Sequence, residues 1–248
     1  MQYTRHSIAG IVLGLALVAA PAALAAGGGA LQPANASLSD RGSLQSGAKL
    51  FFNYCSGCHS LSLMRYSRIA EDLGLSEQEV MDNLNFTTAK FGERIPPSMD
   101  PEDGKRWFGA APPDLSLMAR ARGTDYIFTY LKSFYLDSTR PLGWNNTLFP
   151  NASMPNALWE LQGLQTAVFA PGQGGADPVF EKFELHQEGR LSAREFDHAA
   201  RDIANFLQYA AEPAVFQRMS VGVWVLLFLS VFTLLAWLLK QEYWKDVH

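Results

Sequence analysis

The sequence of 248 residues predicts a mainly α-helical domain with loop and short hairpin insertions, followed by one C-terminal transmembrane helix. Three observations support this prediction: a signal-like N-terminus, a middle section whose clearest elements are capped helices, and a charge-free apolar run near the C-terminus. With 48% hydrophobic and 18% charged residues, the composition is that of a folded protein. The formal net charge of -4 disfavours nucleic acid as a partner.

Residues 1–25 have the three-part layout of a secretory signal peptide. Arg5 gives a positive start, residues 8–20 form an apolar run, and Ala23 and Ala25 form a small-residue cleavage site. The apolar run is too short to span a bilayer comfortably. We therefore expect cleavage after Ala25 or Ala26 and export of residues 26–212, with an uncleaved N-terminal anchor as the alternative.

Residues 219–239 contain no charged side chain, and Arg218 and Lys240 bound them. At about 1.5 Å per residue, a helix of this length covers roughly 31 Å, which matches the hydrocarbon core of a membrane. A buried core helix is the alternative, but such a helix is seldom apolar on every face. We therefore predict a linker at 213–218, a transmembrane helix at 219–239 and a cytoplasmic tail at 240–248.

Three helices are predicted within the exported domain. Residues 46–54 have helical spacing and lead directly into a cysteine. Capping boxes at 76–79 and 192–195 predict helix starts, because in each box a serine and a glutamate cap each other's backbone amides. We expect these two helices to run to about Leu84 and Ala211. Residues 179–185 alternate partly between apolar and polar types after a Gly-rich stretch, which predicts a short hairpin.

The motif Cys55-Ser-Gly-Cys58-His59 contains both cysteines of the chain. On a helical turn, positions i, i+3 and i+4 share one face, so two thiols can attach to a haem while the adjacent imidazole reaches its iron. The sequence therefore predicts one covalent haem c, held through Cys55 and Cys58 with His59 as an iron ligand. The predicted export of residues 26–212 agrees with the assignment of a covalent haem c.

Other kinds of site explain the same residues less well. A structural zinc ion needs four ligands, and beyond the motif the candidates are carboxylates, His186 and His198, which lie at no ligand spacing. A redox dithiol explains the cysteines but not His59, and the strand that precedes such a motif in thioredoxin-like folds is not predicted here. A plain disulfide across two intervening residues would be unusual.

A sixth iron ligand would decide the function of the haem. A methionine closes the iron and raises its potential, as in an electron carrier, whereas an open position would bind small molecules. Met64 is too close to the motif, and Met81 and Met118 fall in predicted helices, where core packing is the simpler explanation. Met99 and Met154 lie in Pro-rich irregular segments, and spacing alone leaves the choice between them open.

Beyond this motif, the chain resembles the cytochrome c1 family, the haem subunits of bacterial ubiquinol–cytochrome c oxidoreductase (bc1) complexes. The resemblance extends from the leader to the C-terminal anchor. It is carried by the segments Ala111-Pro-Pro-Asp-Leu-Ser116, Arg120-Ala-Arg122, Asp125-Tyr126, Arg140-Pro141, Met154-Pro155 and Phe206-Leu207…Ala211-Glu212-Pro213.

The resemblance implies a c-type cytochrome domain and a role for each matching residue. His59 and Met154 would be the axial ligands, so the choice against Met99 rests on the family and not on spacing. The carbonyl of Pro113 would accept the ring N–H of His59. Arg122 would meet a haem propionate and Tyr126 would lie near the haem edge. From the residues alone, the alternatives are a solvated helix-end charge for Arg122 and a core aromatic for Tyr126.

The resemblance also implies a function and partners. The chain would be an electron-transfer subunit without substrate chemistry of its own, taking electrons from a Rieske iron–sulfur protein and passing them to cytochrome c. It would assemble with cytochrome b in the bacterial inner membrane, with its haem domain in the periplasm. The alternatives are a tethered cytochrome of another oxidase or reductase, and a haem sensor or enzyme with an open iron. Eight acids could form a docking surface or simply be solvated: Glu93, Asp100, Glu102, Asp103, Asp177, Glu181, Glu184 and Glu188.

Overall fold

The computed structural model describes residues 30–172 and 178–246. The predicted signal peptide at 1–25 lies outside the described residues. Within them the chain forms helices α1 (Arg41–Tyr54), α2 (Tyr66–Leu73), α3 (Glu77–Asn83), α4 (Pro101–Phe108), α5 (Met118–Arg122), α6 (Thr124–Lys132), α7 (Trp159–Gln162), α8 (Ala193–Ala211) and α9 (Val215–Trp244). The strands are β1 (Leu61–Arg65), β2 (Arg94–Ile95), β3 (Phe134–Leu136), β4 (Trp144–Asn146), β5 (Gly163–Ala170) and β6 (Val179–Glu188). The mainly α-helical fold with hairpin insertions is confirmed.

The predicted helix starts are confirmed by their caps. Ser76 at the start of α3 and Ser192 at the start of α8 each form both hydrogen bonds of a capping box. Helix α1 begins earlier than the predicted residue 46, because the side chain of Asp40 accepts a hydrogen bond from the amide of Ser43 at 3.0 Å. An N-cap at Asp40 therefore adds a turn and a half to the helix that leads into the haem motif.

The core of the domain lies between α1 and α8. The helices approach closely at Gly47, where a side-chain carbon would overlap the backbone carbonyl of Asp202. Next to this contact, the rings of Phe51 and Phe206 pack with their centroids 5.6 Å apart. Because both rings are fully buried, this contact joins the helix that carries the haem motif to the longest helix of the domain.

The segment before α1 crosses α6 and α8 as an extended strap. The amide of Ala34 donates to the carboxylate of Asp125 at 2.8 Å, and its carbonyl accepts from the guanidinium of Arg201 at 2.7 Å. The amide of Gln32 donates to the hydroxyl of Thr129 at 2.9 Å. The beginning of the described chain is thus held against the two helices that form one wall of the domain.

The described strands form three two-stranded antiparallel sheets, β1–β2, β3–β4 and β5–β6. The predicted hairpin at 179–185 is confirmed, and it is longer than predicted because β6 extends to Glu188 and pairs with β5 along its length. Most side chains of β6 are exposed, so this hairpin projects from the domain. It contributes little to the core.

Helix α9 is long and apolar enough to cross a membrane, with a mean hydropathy of 2.4 over its most apolar window. It begins at Val215, inside the segment predicted as a linker, because no helix breaker follows Pro213. Val215 is buried and the ring of Phe216 lies 6.1 Å from that of Tyr209. The membrane-spanning helix therefore starts against the domain instead of after a free linker.

Candidate functional site

The haem motif forms a tight turn at the end of α1. The amides of Cys58 and His59 both donate to the carbonyl of Cys55, at 3.0 and 2.8 Å. This pair of i+3 and i+4 hydrogen bonds directs all three side chains to the same side of the chain, where they line one cleft. The structure thus brings the three residues of the motif together as the spacing predicts.

The cleft has a volume of about 360 Å³, within the usual range for small-molecule and cofactor sites of about 300–1,000 Å³. Its lining comes from α1, α4, α5, α6 and α8 and from the irregular segments between them. The lining residues outside the motif are Tyr54, Phe108, Ala110, Ala111, Pro112, Pro113, Leu115, Met118, Arg122, Tyr126, Ile127, Tyr130, Leu131, Phe149, Ser153, Met154, Pro155, Ala157, Ile203 and Leu207.

His59 is held in one orientation by a hydrogen bond across the cleft wall. Its Nδ1 lies 2.7 Å from the carbonyl oxygen of Pro113, and since a carbonyl only accepts, Nδ1 carries the proton. Burial lowers the pKa of His59, although the bond to Pro113 and the charge of Asp114 act in the opposite direction. The ring is therefore neutral at pH 7, and its Nε2 is the atom available to a metal.

Asp114, the residue after Pro113, joins this wall to the segment that follows His59. Its carboxylate accepts from the hydroxyl of Ser60 at 2.6 Å and from the amides of Ser62 and Ser116 at 2.7 and 2.9 Å. Burial acts to raise the pKa of Asp114, but these hydrogen bonds outweigh it and hold the pKa at about 2. Asp114 is thus ionised whenever the protein is folded near neutral pH.

The methionines predicted as alternatives occupy different places. Met154 lies in an irregular segment and lines the cleft that contains the motif. Met99 lies behind the wall, with its sulfur 3.4 Å from the position of a side-chain carbon at Gly104, and the described cleft lining does not include it. Met118 also lines the cleft, at the start of α5 and shortly after the Pro113 that contacts His59.

Three buried asparagines support the segment that carries Met154, and the sequence analysis missed them. The side-chain oxygen of Asn146 accepts from the amides of Leu148 and Phe149, at 2.9 and 3.0 Å. Asn145 accepts from the amide of Asn151 at 2.8 Å, and a third buried residue, Asn156, accepts from that of Leu158 at 3.0 Å. The Asn145-Asn146 pair and Asn156, which follows a proline, are typical turn residues. This pattern was the sequence signal by which they could have been found.

Arg122 and Tyr126 lie together at one end of the cleft. The guanidinium of Arg122 lies 5.5 Å from the centre of the Tyr126 ring, which in turn stacks on Tyr130 at 6.0 Å. Both residues also line a neighbouring pocket of about 470 Å³ bounded by the strap before α1. Arg122 and Tyr126 are thus shared by the cleft and this pocket, and there the guanidinium lies over the aromatic ring.

The two thiols do not have the character of a redox pair. Burial, with a smaller contribution from the neighbouring Cys58, raises the pKa of Cys55 to about 12. Burial also raises the pKa of Cys58. Reactive dithiols instead have a lowered pKa, because the thiolate is the nucleophile. In residues 30–172 and 178–246, no three His, Cys, Asp or Glu side chains cluster as a metal site would require.

The predicted docking acids fall into separate local groups, and Asp177 lies outside the described residues. On β6, Glu184 pairs with Lys182 at 2.9 Å. On α4, Glu102 pairs with Lys105 at 2.7 Å and Asp103 pairs with Arg106. Several of the acids thus form ion pairs with basic side chains of the same helix or strand. Their charge is therefore partly balanced before any partner arrives.

The residues of the cleft fit a covalent c-type haem. Two thiols and an imidazole with a free Nε2 share one turn, and a thioether lies in the segment that closes the cleft. Aromatic and aliphatic side chains form most of the remaining lining, which suits a macrocycle shielded from water. Arg122 provides a planar cation suited to a carboxylate such as a propionate.

Comparison with known proteins gives a consistent result. The model of the Cytochrome C1 family matches residues 35–247. A protein of Allochromatium vinosum named cytochrome c1 is 52% identical over 96% of this chain and 99% of its own length. A Nitrosomonas europaea protein named ammonia monooxygenase gamma subunit is 40% identical over 84% of this chain and 85% of its own. A Bradyrhizobium diazoefficiens protein named cytochrome b/c1 is 25% identical over 84% of this chain and 34% of its own.

Proposed function

Since the chain belongs to the cytochrome c1 family, we propose that it is the haem-bearing electron-transfer subunit of a bacterial bc1 complex. The observation that carries this proposal is the cleft in which the Cys55–His59 turn faces an apolar wall and a thioether. The chain carries a covalently bound c-type haem, as its family does. It acts as an electron carrier and makes or breaks no substrate bond itself.

The residues of the chain would hold and shield this group. Cys55 and Cys58 would attach it through thioethers, and His59 and Met154 would be its axial ligands. Haem c, when bound, supplies a reversible one-electron exchange at its iron. His59 is kept neutral and oriented by Pro113, and Arg122 would balance the charge of a propionate. The aromatic wall with Tyr126 excludes water, which limits the change in solvation that accompanies a change in charge.

The proposed partners rest on the family. We place the chain beside cytochrome b in the membrane, where it receives one electron at a time from a Rieske iron–sulfur protein and passes it to cytochrome c. The relative named cytochrome b/c1 supports the first neighbour, because its name joins a cytochrome b to a cytochrome c1. Helix α9 anchors the protein in the membrane. With the predicted signal peptide, this anchor would leave the haem domain in the periplasm.

The ligand assignment is tested by replacing each candidate methionine with leucine in the full-length protein. Met154→Leu removes a thioether from the cleft, so we expect the potential to fall by more than about 59 mV, a tenfold change in a one-electron equilibrium. We also expect the ferrous variant to bind carbon monoxide at neutral pH, which the unmodified protein should not do. Redox titration and absorption spectroscopy measure both effects.

Met99→Leu and Met118→Leu are the matched controls for this experiment. Both should keep the potential and exclude carbon monoxide, since Met99 lies outside the described cleft lining and Met118 is the first residue of α5, shortly after the Pro113 that contacts His59. If either control opened the iron while Met154→Leu left it closed, the ligand assignment would be wrong. Ready binding of carbon monoxide by the unmodified protein would contradict the electron-carrier proposal itself.

A further inference from the structure

We propose that Asp114 is the positioning residue for His59 and that, by fixing the Pro113 carbonyl against the imidazole, it sets the reduction potential of the site. This inference rests on the proposed function, because it takes His59 as an iron ligand. Asp114 contacts neither the cleft nor the imidazole in the described structure. The charge of Asp114 also acts on the imidazole, but the inferred positioning is through the backbone that carries the acceptor.

The geometry assigns this role because Asp114 connects the chain segment of His59 to that of Pro113, the two residues that share a hydrogen bond. The bond from His59 Nδ1 to the Pro113 carbonyl is 2.7 Å long. One residue beyond His59, the hydroxyl of Ser60 donates to Asp114 Oδ2 at 2.6 Å, and Asp114 itself is one residue beyond Pro113. The amide of Leu115 donates to the carbonyl of Ser60 at 3.0 Å and closes the connection.

The two carboxylate oxygens of Asp114 accept hydrogen bonds from different segments of the chain. Oδ2 accepts from the Ser60 hydroxyl and from the amide of Ser62, so it holds the segment that follows the motif. Oδ1 accepts from the amide of Ser116 at 2.9 Å, which fixes the turn at residues 114–116 that directly follows Pro113. Ser116 is fully buried, and its hydroxyl accepts from the amide of Leu63 at 3.1 Å. The connection is therefore anchored in the core at one end.

The expected effect on the potential follows from ligand basicity. A carbonyl that accepts the Nδ1 proton makes Nε2 a stronger donor, which favours the more positive, oxidised iron and lowers the potential. If Asp114 no longer fixes Pro113, the hydrogen bond between His59 and Pro113 lengthens on average. The one-electron equilibrium then shifts towards the reduced iron. We therefore expect the reduction potential to rise when the hydrogen bonds of Asp114 are lost.

The test uses full-length, haem-loaded protein in detergent. In Asp114→Asn the amide presents one oxygen and one NH₂ group, so it cannot accept from both segments. We expect the one-electron equilibrium to shift towards the reduced form by roughly tenfold, because the imidazole becomes a weaker donor when its acceptor is no longer fixed. Ser60→Ala removes one donor and leaves the charge in place, and it should shift the equilibrium in the same direction by a smaller factor.

Ser60→Ala is the control for charge, because it keeps the carboxylate of Asp114, and Asp82→Asn is the control for loss of an exposed acid elsewhere, on α3 and remote in sequence from the connection. Asp82→Asn should change the equilibrium less than about twofold. The electron paramagnetic resonance spectrum of the ferric protein is a second readout, because it reports the orientation of the imidazole. It should change in Asp114→Asn and Ser60→Ala and stay constant in Asp82→Asn.

Three outcomes would overturn the inference. These are an unchanged potential and spectrum in Ser60→Ala and Asp114→Asn, a fall in potential in both, or an equal shift in Asp82→Asn. If Asp114→Asn does not fold, Ser60→Ala alone decides, since it removes a single hydroxyl. Failure of the proposed function is distinguishable, because the unmodified ferrous protein would then bind carbon monoxide readily, whatever the potentials of the Asp114→Asn and Ser60→Ala variants.

Discussion

At the scale of single residues, the chemistry of this protein depends on one backbone carbonyl. The oxygen of Cys55 accepts from two amides and so places both thiols and the imidazole on the same side. This arrangement could be predicted from the sequence, because the spacing of the motif by itself fixes which residues share a face. The volume and the lining of the cleft could not, since they depend on segments far apart in the chain.

The positions of Met99 and Met154 show where sequence reasoning ends. Both lie in irregular segments, as predicted, and nothing local distinguishes them. The structure separates them by position: Met154 lines the cleft in a segment held by Asn146 and Asn156, while Met99 packs near Gly104 outside the described lining. A buried asparagine that satisfies backbone amides of its own loop looks, in sequence, like any other turn residue.

Replacement of Asn146 by alanine should loosen the Met154 segment. The change leaves the amides of Leu148 and Phe149 without their acceptor and removes the donor at 2.9 Å from the carbonyl of Tyr130, which keeps the amide of Ser133 at 3.2 Å. A buried polar group left unpaired costs about 1–3 kcal/mol, so we expect a loss of this size in the free energy of unfolding. Denaturant titration of the full-length protein measures it.

Asn53→Ala is the control for this prediction. Asn53 is exposed on α1 and its side chain bonds only the carbonyl of Lys49 in the described structure, so the change should stay within about 0.5 kcal/mol. We also expect Asn146→Ala, and not Asn53→Ala, to bind carbon monoxide partially in the ferrous state. Equal stability of the two variants would show that Asn146 does not support the segment.

At the scale of elements, the helices were more predictable than the strands. The capping boxes at Ser76 and Ser192 are local signals, and both form as predicted. The pairs β1–β2 and β3–β4 were missed because each contains a strand of only two or three residues, too short for a period-two pattern. Their pairing depends on tertiary contacts and not on local sequence.

The contact between α1 and α8 gives the clearest test at this scale. At Gly47 a methyl group would overlap the backbone carbonyl of Asp202 and lie 2.8 Å from the Cβ of Phe206. A backbone carbonyl cannot rotate away, so Gly47→Ala must push the helices apart, at a cost of about 1–3 kcal/mol or more. Thermal unfolding followed by circular dichroism measures this loss, and haem content should fall with it.

Gly42→Ala tests the same substitution in the same helix without the close contact. Its added carbon would lie 3.5 Å from an oxygen of Asp40, an ordinary distance. Alanine restricts the unfolded chain more than glycine does, so this variant should be as stable as the unmodified protein or up to about 1 kcal/mol more stable. If Gly47→Ala were equally well tolerated, helix packing in the core would be looser than described.

The junction between α8 and α9 links the domain to its anchor. The hydroxyl of Tyr209 donates to Asp72 at 2.8 Å, and Arg68 bonds both Asp72, at 2.6 Å, and the carbonyl of Pro213, at 3.2 Å. Burial, with the carboxylate of Asp72 acting in the same direction, raises the pKa of Tyr209, so the phenol remains a hydrogen-bond donor. The end of α8 near Ala211 was predicted from the sequence, but only the structure shows that side chains from α2 hold this corner.

At the scale of the whole molecule, the sequence divides into parts with different physical tasks. The apolar run at 219–239 lies inside α9, whose side chains are almost entirely exposed in the isolated chain, as a lipid-facing helix requires. The apolar residues of the domain instead surround the motif cleft and the α1–α8 contact. Composition alone did not distinguish these uses, whereas the position of the charge-free run did.

The central claim is that this chain is the haem subunit of a bc1 complex, and purification of the native assembly tests it most directly. The full-length protein, tagged after its last residue, would be isolated from its own membranes in mild detergent and reduced with a quinol. We predict that a b-type cytochrome and a Rieske iron–sulfur protein purify with it, and that quinol reduces its covalent haem. Recovery of the haem protein with neither partner, and without reduction by quinol, would contradict the account.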